Sequence, residues 1–384
     1  MKILLLNHNQ IGYGTYWRVY FLAKNLANQG FKVTMIAASG SEFDSKIRVE
    51  KITQNFDLLT LPRLKFGKYW SGQEYRLLLT IVKILRIDYD ILHAFTVAQP
   101  QIALPALIGK WLKKKKLIVD WDDAWHQGFT TYHSFPVKNI LNYCELKTPL
   151  HADFVTVSSD FLHEKAVSLG IAQDKIAQIP NGCNSEDIIP ISKYEARKKL
   201  NLKDEKILVS MGHTYADTMD FMLDTYDLVL KKYPATKLFL LSKLNLDESL
   251  KKRISNTGNI IMTGEIPFEK FKYYLSAADI FLLPMKDTNI EKARFPIRFG
   301  DYLCAGRPIV SNAVGMVKKI IEQESCGIVS SVDNPKEMSD SIIWLINNPK
   351  QCEEMGIKSR QVAEGILAWE NITKKLSQIY EKLG

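Results

Sequence analysis

The chain has 384 residues, of which 46% are hydrophobic and 24% charged, and it carries a net charge of +9. This composition excludes a disordered or fibrous protein, no apolar run is long enough to cross a bilayer, and the length predicts two domains with a cleft. The five cysteines are odd in number and widely spaced, which predicts reduced thiols and neither a disulfide framework nor a metal site.

Short apolar β-branched runs alternate with helical patterns along the first half, which predicts parallel α/β units. The start, MKILLLNHNQ, suits a strand followed by polar turn residues and lacks the cleavage site of a signal peptide, so we expect a cytoplasmic protein. Helices are predicted up to Asn28 and over 100–112, 137–150 and Asp160–Leu169. Strands are predicted at Lys2–Leu6, Lys32–Ala37, 47–52, 58–61, Ile91–Ala94, Leu117–Val119, Phe154–Val157 and Ile176–Ile179.

The second half repeats this rhythm after a turn at Pro180-Asn181-Gly182 and a mixed polar stretch to about 204, the predicted hinge. A final amphipathic helix, Trp369–Leu383, is expected to pack back on the first domain. We therefore predict an α/β fold with two doubly wound domains, one of residues 1–180 plus 366–384 and one of 181–365. Strands are predicted at Ile207–Val209, Leu238–Leu241, Ile260–Thr263, Ile280–Leu283, Ile309-Val310 and Gly327–Ser330.

The first 180 residues are the more basic part, with 22 Lys and Arg against 15 Asp and Glu. Lys113–Lys116 follows a predicted helix end that carries Trp111 and Leu112. These lysines suit a solvated helix C-terminus, where they favour the dipole, or an anionic membrane surface. Nucleic acid is the third and least favoured interpretation, and none is expected as a partner.

The segment Glu291–Gly315 combines two arginines, an acid and helix-ending glycines. Phe295-Pro296 suits the start of a helix, which puts Arg294 and Arg298 four residues apart near its N-terminus, where a phosphate would be favoured. Asp301, one turn further, suits the vicinal diol of a ribose because a carboxylate only accepts hydrogen bonds. The alternative is an amphipathic helix with a surface Arg/Asp pair.

Four segments together resemble the group 1 nucleotide-sugar glycosyltransferases of the GT-B fold, and the resemblance covers nearly the whole chain. Their order and spacing are more specific than any one of them. The segments are Ala152–Ser158 with Gly170-Ile171 and Ile179–Gly182, Thr263–Pro267 with Tyr274–Asp279 and Leu283-Pro284, Arg294–Pro308, and Trp369-Glu370.

The resemblance implies two Rossmann-like domains facing across a cleft and a carboxyl-terminal helix that crosses back to the first. The second domain would hold a nucleotide-diphosphate sugar, and the first would hold a glycan, lipid-linked or small-molecule acceptor. Transfer of a hexosyl group with retention of configuration, without metal or cofactor, is implied. A cytoplasmic location with possible peripheral contact at the inner face of the membrane, through the basic first domain, completes this expectation.

The sequence departs from the family pattern at two places. The pattern has two acids eight residues apart; Asp301 fills the second position, whereas the first falls on Ala293 with Glu291 two residues earlier. The usual basic pair after the first strand of the second domain is replaced by Gly212–Tyr215, so His213 is expected as a hydrogen-bond donor. The resemblance implies the following donor-binding residues: Gly12, Gly14, His213, Glu265, Arg294, Phe295, Pro296, Ile297, Asp301 and, least securely, Glu291.

An acidic loop, Val119–Asp123, ends a strand of the first domain and is expected to point into the cleft. An Asp-x-Asp pair can hold a divalent metal, but the flanking segments argue against it here. Asp122 and Asp123, together with Arg298, are the expected catalytic residues, and Asp120 and His126 are expected near the acceptor. The alternative is helix capping by an aspartate at a strand-to-helix turn.

The loop Gly12–Thr15 joins the first strand to the first helix, where glycine lets a ligand approach the backbone closely. It lacks the third glycine of a dinucleotide fingerprint, which argues against a nicotinamide cofactor. A tight turn without ligand is the alternative.

Three functions remain open from the sequence. The leading one is glycosyl transfer. A GT-B-fold epimerase or phosphorylase is the second, and a catalytically weak sugar-nucleotide-binding member is the third, because of Ala293 and the absent basic pair.

Overall fold

The computed structural model describes residues 1–41, 43–64, 72–212, 216–242 and 246–384. The chain divides into two compact units. The first comprises Met1–Asn181, Thr288–Phe295 and Trp369–Gly384, and the second comprises Gly182–Asp287 and Pro296–Ala368. Among the helices described, none is long and apolar enough to span a bilayer.

Residues up to 181 form an alternating series of strands and helices, as the apolar runs predict. Short 3₁₀ turns at Phe129–Tyr132, Thr148–His151 and Gln173–Lys175 join them. The helices are α1 (Tyr16–Asn28), α2 (Gln73–Arg86), α3 (Pro100–Leu112), α4 (Val137–Lys147) and α5 (Asp160–Ser168). The strands are β1 (Lys2–Gln10), β2 (Lys32–Ala38), β3 (Phe43–Asp44), β4 (Arg48–Thr53), β5 (Phe56–Leu61), β6 (Arg63–Leu64), β7 (Ile91–Phe95), β8 (Lys116–Trp121), β9 (Phe154–Val157) and β10 (Ile176–Gln178).

The first sheet has the strand order β10-β9-β8-β7-β1-β2-β5-β4 and is parallel except for the β4–β5 pair. Its central strand β1 pairs Ile3 with Val33 on one side and with Ile91 on the other. Helices cover both faces of such a sheet, so its strands are apolar throughout, as the buried run Ile3–Leu6 illustrates. The small antiparallel pair β3–β6 was not predicted.

From residue 182 onward the same alternation recurs. The strands are β11 (Ile207–Met211), β12 (Lys237–Leu241), β13 (Ile260–Met262), β14 (Ile280–Leu283), β15 (Ile309–Ser311) and β16 (Gly327–Val329). The helices are α6 (Lys193–Lys199), α7 (Ala216–Lys232), α8 (Glu248–Thr257), α9 (Phe268–Ala277), α10 (Asn289–Ala293), α11 (Ile297–Ala305), α12 (Gly315–Glu324), α13 (Pro335–Asn347), α14 (Pro349–Glu364) and α15 (Trp369–Leu383).

The second sheet is parallel, with the order β13-β12-β11-β14-β15-β16. Its core contains side chains of α7 and α13, such as Met222 and Ile342, packed on strand residues such as Leu208. The doubly wound α/β architecture predicted from the sequence is confirmed.

One segment lies in the first unit although the sequence analysis assigned it to the second domain. Ala293 of the segment Thr288–Phe295 belongs to the apolar cluster around Trp121 in the first unit. The Ser158 hydroxyl donates to the Ala293 carbonyl at 3.2 Å, and the Asn181 amide donates to the Phe295 carbonyl at 2.5 Å. Contacts between residues this distant in the sequence cannot be predicted from the local hydrophobic periodicity.

Candidate active site

Both sheets contain a point where the strand order reverses. In the first sheet the chain runs outward from β1 through β2 and β5, then returns to β7 on the other side of β1. In the second sheet it runs from β11 to β12 and β13, then returns to β14 beside β11. Ligands of open α/β sheets bind outside the carboxyl ends of the strands at such points. Binding residues are therefore expected in the loops that follow β1, β7 and β11.

Asp122 joins three loops at the reversal point of the first sheet. Its carboxylate accepts hydrogen bonds from the Thr15 hydroxyl at 2.7 Å, after β1, and from the Thr96 hydroxyl at 3.1 Å, after β7. Burial, reinforced by the nearby negative charge of Asp120, raises the pKa of Asp122. The predicted acidic loop thus lies at the carboxyl edge, and Asp122 fixes it to the two neighbouring loops.

Asp120 differs from the expectation that it lies near the acceptor. Its side chain is fully buried, and both carboxylate oxygens accept from the Arg18 guanidinium, at 2.9 and 2.8 Å. The Thr156 hydroxyl donates to one of them at 2.5 Å. Asp120 cannot contact an acceptor while these bonds exist, because its oxygens are already occupied within the core.

Arg18 is the main residue that sequence reasoning missed. It is fully buried, and it also donates to the Ile179 carbonyl at 2.6 Å and to the Asn181 side-chain oxygen at 3.0 Å. The guanidinium thereby connects α1 to the segment that closes the first unit. The sequence does indicate that Arg18 is buried, because it falls on the inward stripe of α1 with Leu22 and Leu26. A buried arginine needs a partner for its charge.

Asp123 lies beside the segment that the structure adds to the first unit. Burial is the main cause that raises the pKa of Asp123 well above its usual value, followed by the charge of Asp122. Glu291 raises that pKa further, and Arg294 lowers it. Arg294 forms a bidentate ion pair with Glu291, whose side chain is buried.

This placement corrects the predicted arrangement of the two arginines. Arg294 has an extended backbone (φ −85°, ψ 153°) at the end of α10, and α11 begins only at Ile297, with Pro296 as its cap. The i,i+4 rule applies only inside a helix, so Arg294 and Arg298 do not form a fork on one helix. Phe295 is buried in the first unit with its carbonyl bonded to Asn181.

A buried glutamate holds Trp121 of the acidic loop and the backbone of the residues that follow the loop. Glu145 of α4 accepts from the Trp121 indole at 2.7 Å, from the Trp125 backbone at 3.1 Å and from the His126 backbone. The Lys165 ammonium lies 3.2 Å from the same carboxylate. Burial and the charge of Lys165 lower the pKa of His126. Sequence reasoning could not connect Glu145 with this loop, because α4 begins well after the loop ends.

The glycine loop after β1 is constrained by its backbone. Gly12 and Gly14 have φ of +86° and +54°, and a Cβ on Gly14 would lie 2.3 Å from the side-chain nitrogen Nδ2 of Asn9. The Gly12 carbonyl accepts from the Trp17 indole at 2.9 Å. The positive φ angles therefore favour glycine in this turn, whether or not a ligand is bound.

In the second unit, Arg298 lies at the reversal point. It belongs to the first turn of α11 and donates to the Met211 carbonyl, the last residue of β11, at 2.8 Å. Gly212, with φ of +84°, lies beneath it, and a Cβ there would come within 3.1 Å of Arg298 Cδ. The Tyr302 hydroxyl accepts from the Met211 backbone at 2.7 Å, which fixes α11 to the carboxyl end of β11.

Asp301 follows Arg298 by three residues on α11. Burial raises the pKa of Asp301 to about 7. The carboxyl group therefore changes charge near neutral pH, in contrast to an ordinary surface aspartate.

The remaining predicted residues are less informative. Glu265 is exposed after β13, next to Gly264 with φ of +69°. His213 lies outside the described residues. Within the described ranges, no three His, Cys, Asp or Glu side chains form a group that could hold a metal ion.

The two halves of the chain match two family models. Residues 14–187 match the family described as Glycosyltransferase Family 4, and residues 192–362 match Glycosyl transferases group 1. An uncharacterized glycosyltransferase of Haemophilus influenzae is 25% identical over 355 residues, which are 89% of each chain.

Solved structures share the fold over the full length of the chain. Sucrose-phosphate synthase from Thermosynechococcus elongatus superposes with a TM-score of 0.74 at 18% identity, over 100% of this chain and 98% of that one. Anabaena HepE in complex with UDP and glucose gives 0.75 at 12% identity, over 100% of both chains. Together, the family matches and the shared fold identify the chain as a group 1 glycosyltransferase with the GT-B fold.

Proposed function

We propose that the protein transfers a hexosyl group from a nucleotide-diphosphate sugar to a hydroxyl of a glycan, lipid-linked or small-molecule acceptor, with retention of configuration and without a metal ion or cofactor. The observation that carries this proposal is the position of Arg298 over Gly212, at the carboxyl end of β11 and the reversal point of the second sheet. HepE, which has the same fold, is described in complex with UDP and glucose, so a UDP-hexose is the first donor to test.

Arg298 would act on the diphosphate. Breaking the bond between the sugar C1 and the β-phosphate oxygen leaves negative charge on that phosphate. A guanidinium in the first turn of α11 adds to the positive end of the helix, and both favour the developing charge more than the ground state. Asp301 would accept hydrogen bonds from the ribose hydroxyls when it is ionised.

The acidic loop of the first unit would supply the proton acceptor. As the C1–O bond to the acceptor forms, the acceptor hydroxyl loses its proton. Asp123 suits this step because a carboxylate of raised pKa takes up a proton more readily than an ordinary aspartate. Asp122 would orient the loop through Thr15 and Thr96, whereas Arg294, paired with Glu291, would tune the charge of Asp123.

An epimerase would turn over the donor alone to an isomer, and a phosphorylase would need phosphate. A binding protein without turnover is the other alternative. No feature of the described residues favours any of these alternatives over glycosyl transfer. Product analysis with and without acceptor distinguishes the alternatives from transfer.

The experiment is a turnover assay over UDP-, GDP- and ADP-sugars in EDTA, with wild type and Arg298→Ala. We expect donor turnover in wild type and a loss of roughly 100-fold or more in kcat/KM in the variant, the usual cost of removing a charge-stabilising donor. Arg298→Lys should recover part of the loss because the charge is retained.

Arg253→Ala is the matched control, since Arg253 lies in the same unit and pairs with Asp224 and Asp227 on the surface. Its activity should remain near that of wild type. Failure of calorimetry to detect binding of any nucleotide sugar would refute the proposal.

A further inference from the structure

A cavity of about 510 Å³ lies within the second unit, at the edge of the second sheet where its strands begin. Lys206 and Asp279, which immediately precede β11 and β14, are among its lining residues. These strands are parallel, so Arg298 and the proposed donor site lie at the opposite edge of the sheet. Helix α11 carries Arg298 in its first turn, whereas its last residue, Ala305, and its cap, Gly306, line the cavity. We refer to this space as the amino-edge cavity, and it is separate from the proposed donor site.

The walls of the amino-edge cavity are partly apolar. Leu345 and Ile346 come from the end of α13, and Pro349 and Ile357 come from α14. Ile357 is 53% exposed, so the cavity is open to solvent on that side. Sites for small molecules commonly have volumes of roughly 300–1,000 Å³ and walls of this kind. The cavity therefore has room for an organic molecule that contains a ring.

Positive charge predominates among the charged side chains that line the cavity. Asp279 is already neutralised, because it forms ion pairs with Lys193 and, at 2.7 Å, with Arg197. Glu353 is exposed to solvent. Four of the charged lining residues are basic and two are acidic: Lys193, Lys206, Arg307, Arg360, Asp279 and Glu353.

Lys206 and Arg307 supply the positive charge that no carboxylate compensates. The Arg307 guanidinium donates to three backbone carbonyls, at 3.0, 3.0 and 3.1 Å, and forms no ion pair with the residues that the structure describes. Within the same described ranges, the half-buried Lys206 has no side-chain hydrogen bond or ion pair. By contrast, Arg360 is paired with Glu364 at 2.6 Å. An anionic group of a ligand would compensate the charges of Lys206 and Arg307.

We propose that the amino-edge cavity binds a small organic anion in which a phosphate or carboxylate group is joined to an apolar ring. The anionic group meets Lys206 and Arg307, where partial burial strengthens the attraction between opposite charges. The ring lies against Leu345 and Ile346 and removes their apolar surface from water. Water alone would satisfy the two cations but would leave these walls hydrated. The inference goes beyond the proposed function and does not depend on it.

Cys352 provides a reporter inside the cavity. It is one of the lining residues, and its thiol donates to the Asp279 carbonyl at 3.8 Å. Cys352 is half-buried, whereas the other four cysteines are buried. The neutral reagent iodoacetamide should therefore alkylate Cys352 first, as its thiolate displaces iodide and forms a carbon–sulfur bond. A ligand in the cavity should slow this reaction.

The test measures the alkylation rate of Cys352 in the full chain by peptide mass spectrometry, with 1-naphthyl phosphate, 1-naphthoate, 1-naphthol or inorganic phosphate present. At about ten times Kd, the naphthyl anion that binds should slow the reaction about tenfold. The stronger of the two naphthyl anions identifies the charged group. Failure of both to protect Cys352 overturns the proposal. Equal protection by 1-naphthol would show that charge is not recognised, and equal protection by inorganic phosphate would show that only a simple ion binds.

Lys206→Glu should weaken the binding of the naphthyl anion by about tenfold or more, because a charge-assisted contact becomes a repulsion. Lys206→Arg should retain binding. The matched control is Lys231→Glu, which makes the same change at an exposed position of α7 outside the cavity, and it should bind as wild type does. Each variant is compared with and without ligand, since Lys206 also favours the thiolate of Cys352. Circular dichroism confirms folding. The labelling needs no nucleotide sugar, so its failure is distinct from a failure of the proposed function.

Discussion

The protonation state of the Asp301 carboxyl group should affect both the stability of the protein and the binding of the donor. In the folded protein its pKa is about 7, compared with the usual 3.8, because burial penalises the carboxylate. The neutral form is therefore favoured by folding. The contribution of this carboxyl group to stability is fully present below about pH 4 and is lost as the pH rises through about 7.

Asp301→Asn should be more heat-stable than wild type at about pH 8, with little difference below about pH 4, because the amide stays neutral throughout. Donor affinity should fall in the variant. In wild type it should rise with pH through about 7, since the charged carboxylate accepts hydrogen bonds from the ribose hydroxyls more strongly than a neutral group. Thermal unfolding and donor calorimetry across this range measure both effects.

Asp333→Asn is the control for this pair of measurements, since Asp333 is exposed and its positive φ of 57° suits asparagine equally well. A stability gain that is the same at every pH would contradict the explanation by titration.

Arg18 and Asp122 illustrate how far residue-level prediction extends. The acidic loop was expected at a strand end because an acid cluster follows an apolar run, and the structure puts Asp122 and Asp123 there. That Asp120 faces Arg18, 102 residues away along the chain, could not be predicted. Alternation along a strand predicts which face of the sheet a side chain occupies. The residue that it contacts there comes from a distant part of the sequence.

At the scale of elements, the strands and helices that were predicted agree with the structure to within a few residues, because each depends on local periodicity, whereas α2 and the β3–β6 pair were not predicted. The exception is α10 with Arg294 and Phe295. The family pattern places this segment within the donor-binding half, whereas its packing against Trp121 and its bonds to Ser158 and Asn181 place it in the first unit. Assigning an element to a unit requires tertiary contacts, which periodicity does not contain.

Helix α15 was expected to return to the first unit, and one buried hydrogen bond makes that association testable. The Tyr380 hydroxyl lies 2.7 Å from Nδ1 of His93 on β7, and both side chains are fully buried. Burial lowers the pKa of His93 to about 3, so the imidazole is neutral at ordinary pH.

Tyr380→Phe should lower the free energy of unfolding by about 1–3 kcal/mol, because it leaves a buried imidazole nitrogen without its partner. Since His93 stays neutral, the loss should be the same at about pH 6 and pH 8. Urea unfolding measures it. The control is Tyr194→Phe, whose ring is 75% exposed, and an equal loss in both variants would show that the buried bond is not the cause.

At the scale of the whole molecule, each unit contains its own apolar core, one around Leu208 and Met222 and the other around Leu4 and Leu92. Chains with separate cores commonly unfold in more than one step. The tryptophans divide unevenly, because of the seven in the chain only Trp344 lies within residues 182–287 and 296–368. Tryptophan fluorescence therefore follows mainly the first unit, whereas far-ultraviolet circular dichroism follows both.

A nucleoside diphosphate that binds the second unit should consequently shift the main dichroism transition more than the fluorescence transition. At a hundredfold excess over Kd, binding adds about 2.7 kcal/mol. For a unit of this size each kcal/mol raises Tm by about 2–4 °C. Arg298→Ala should abolish the shift, whereas Arg253→Ala should retain it. Equal shifts by both probes would mean that the nucleotide stabilises the first unit as well, because a ligand raises the stability only of the structure that unfolds together with its site.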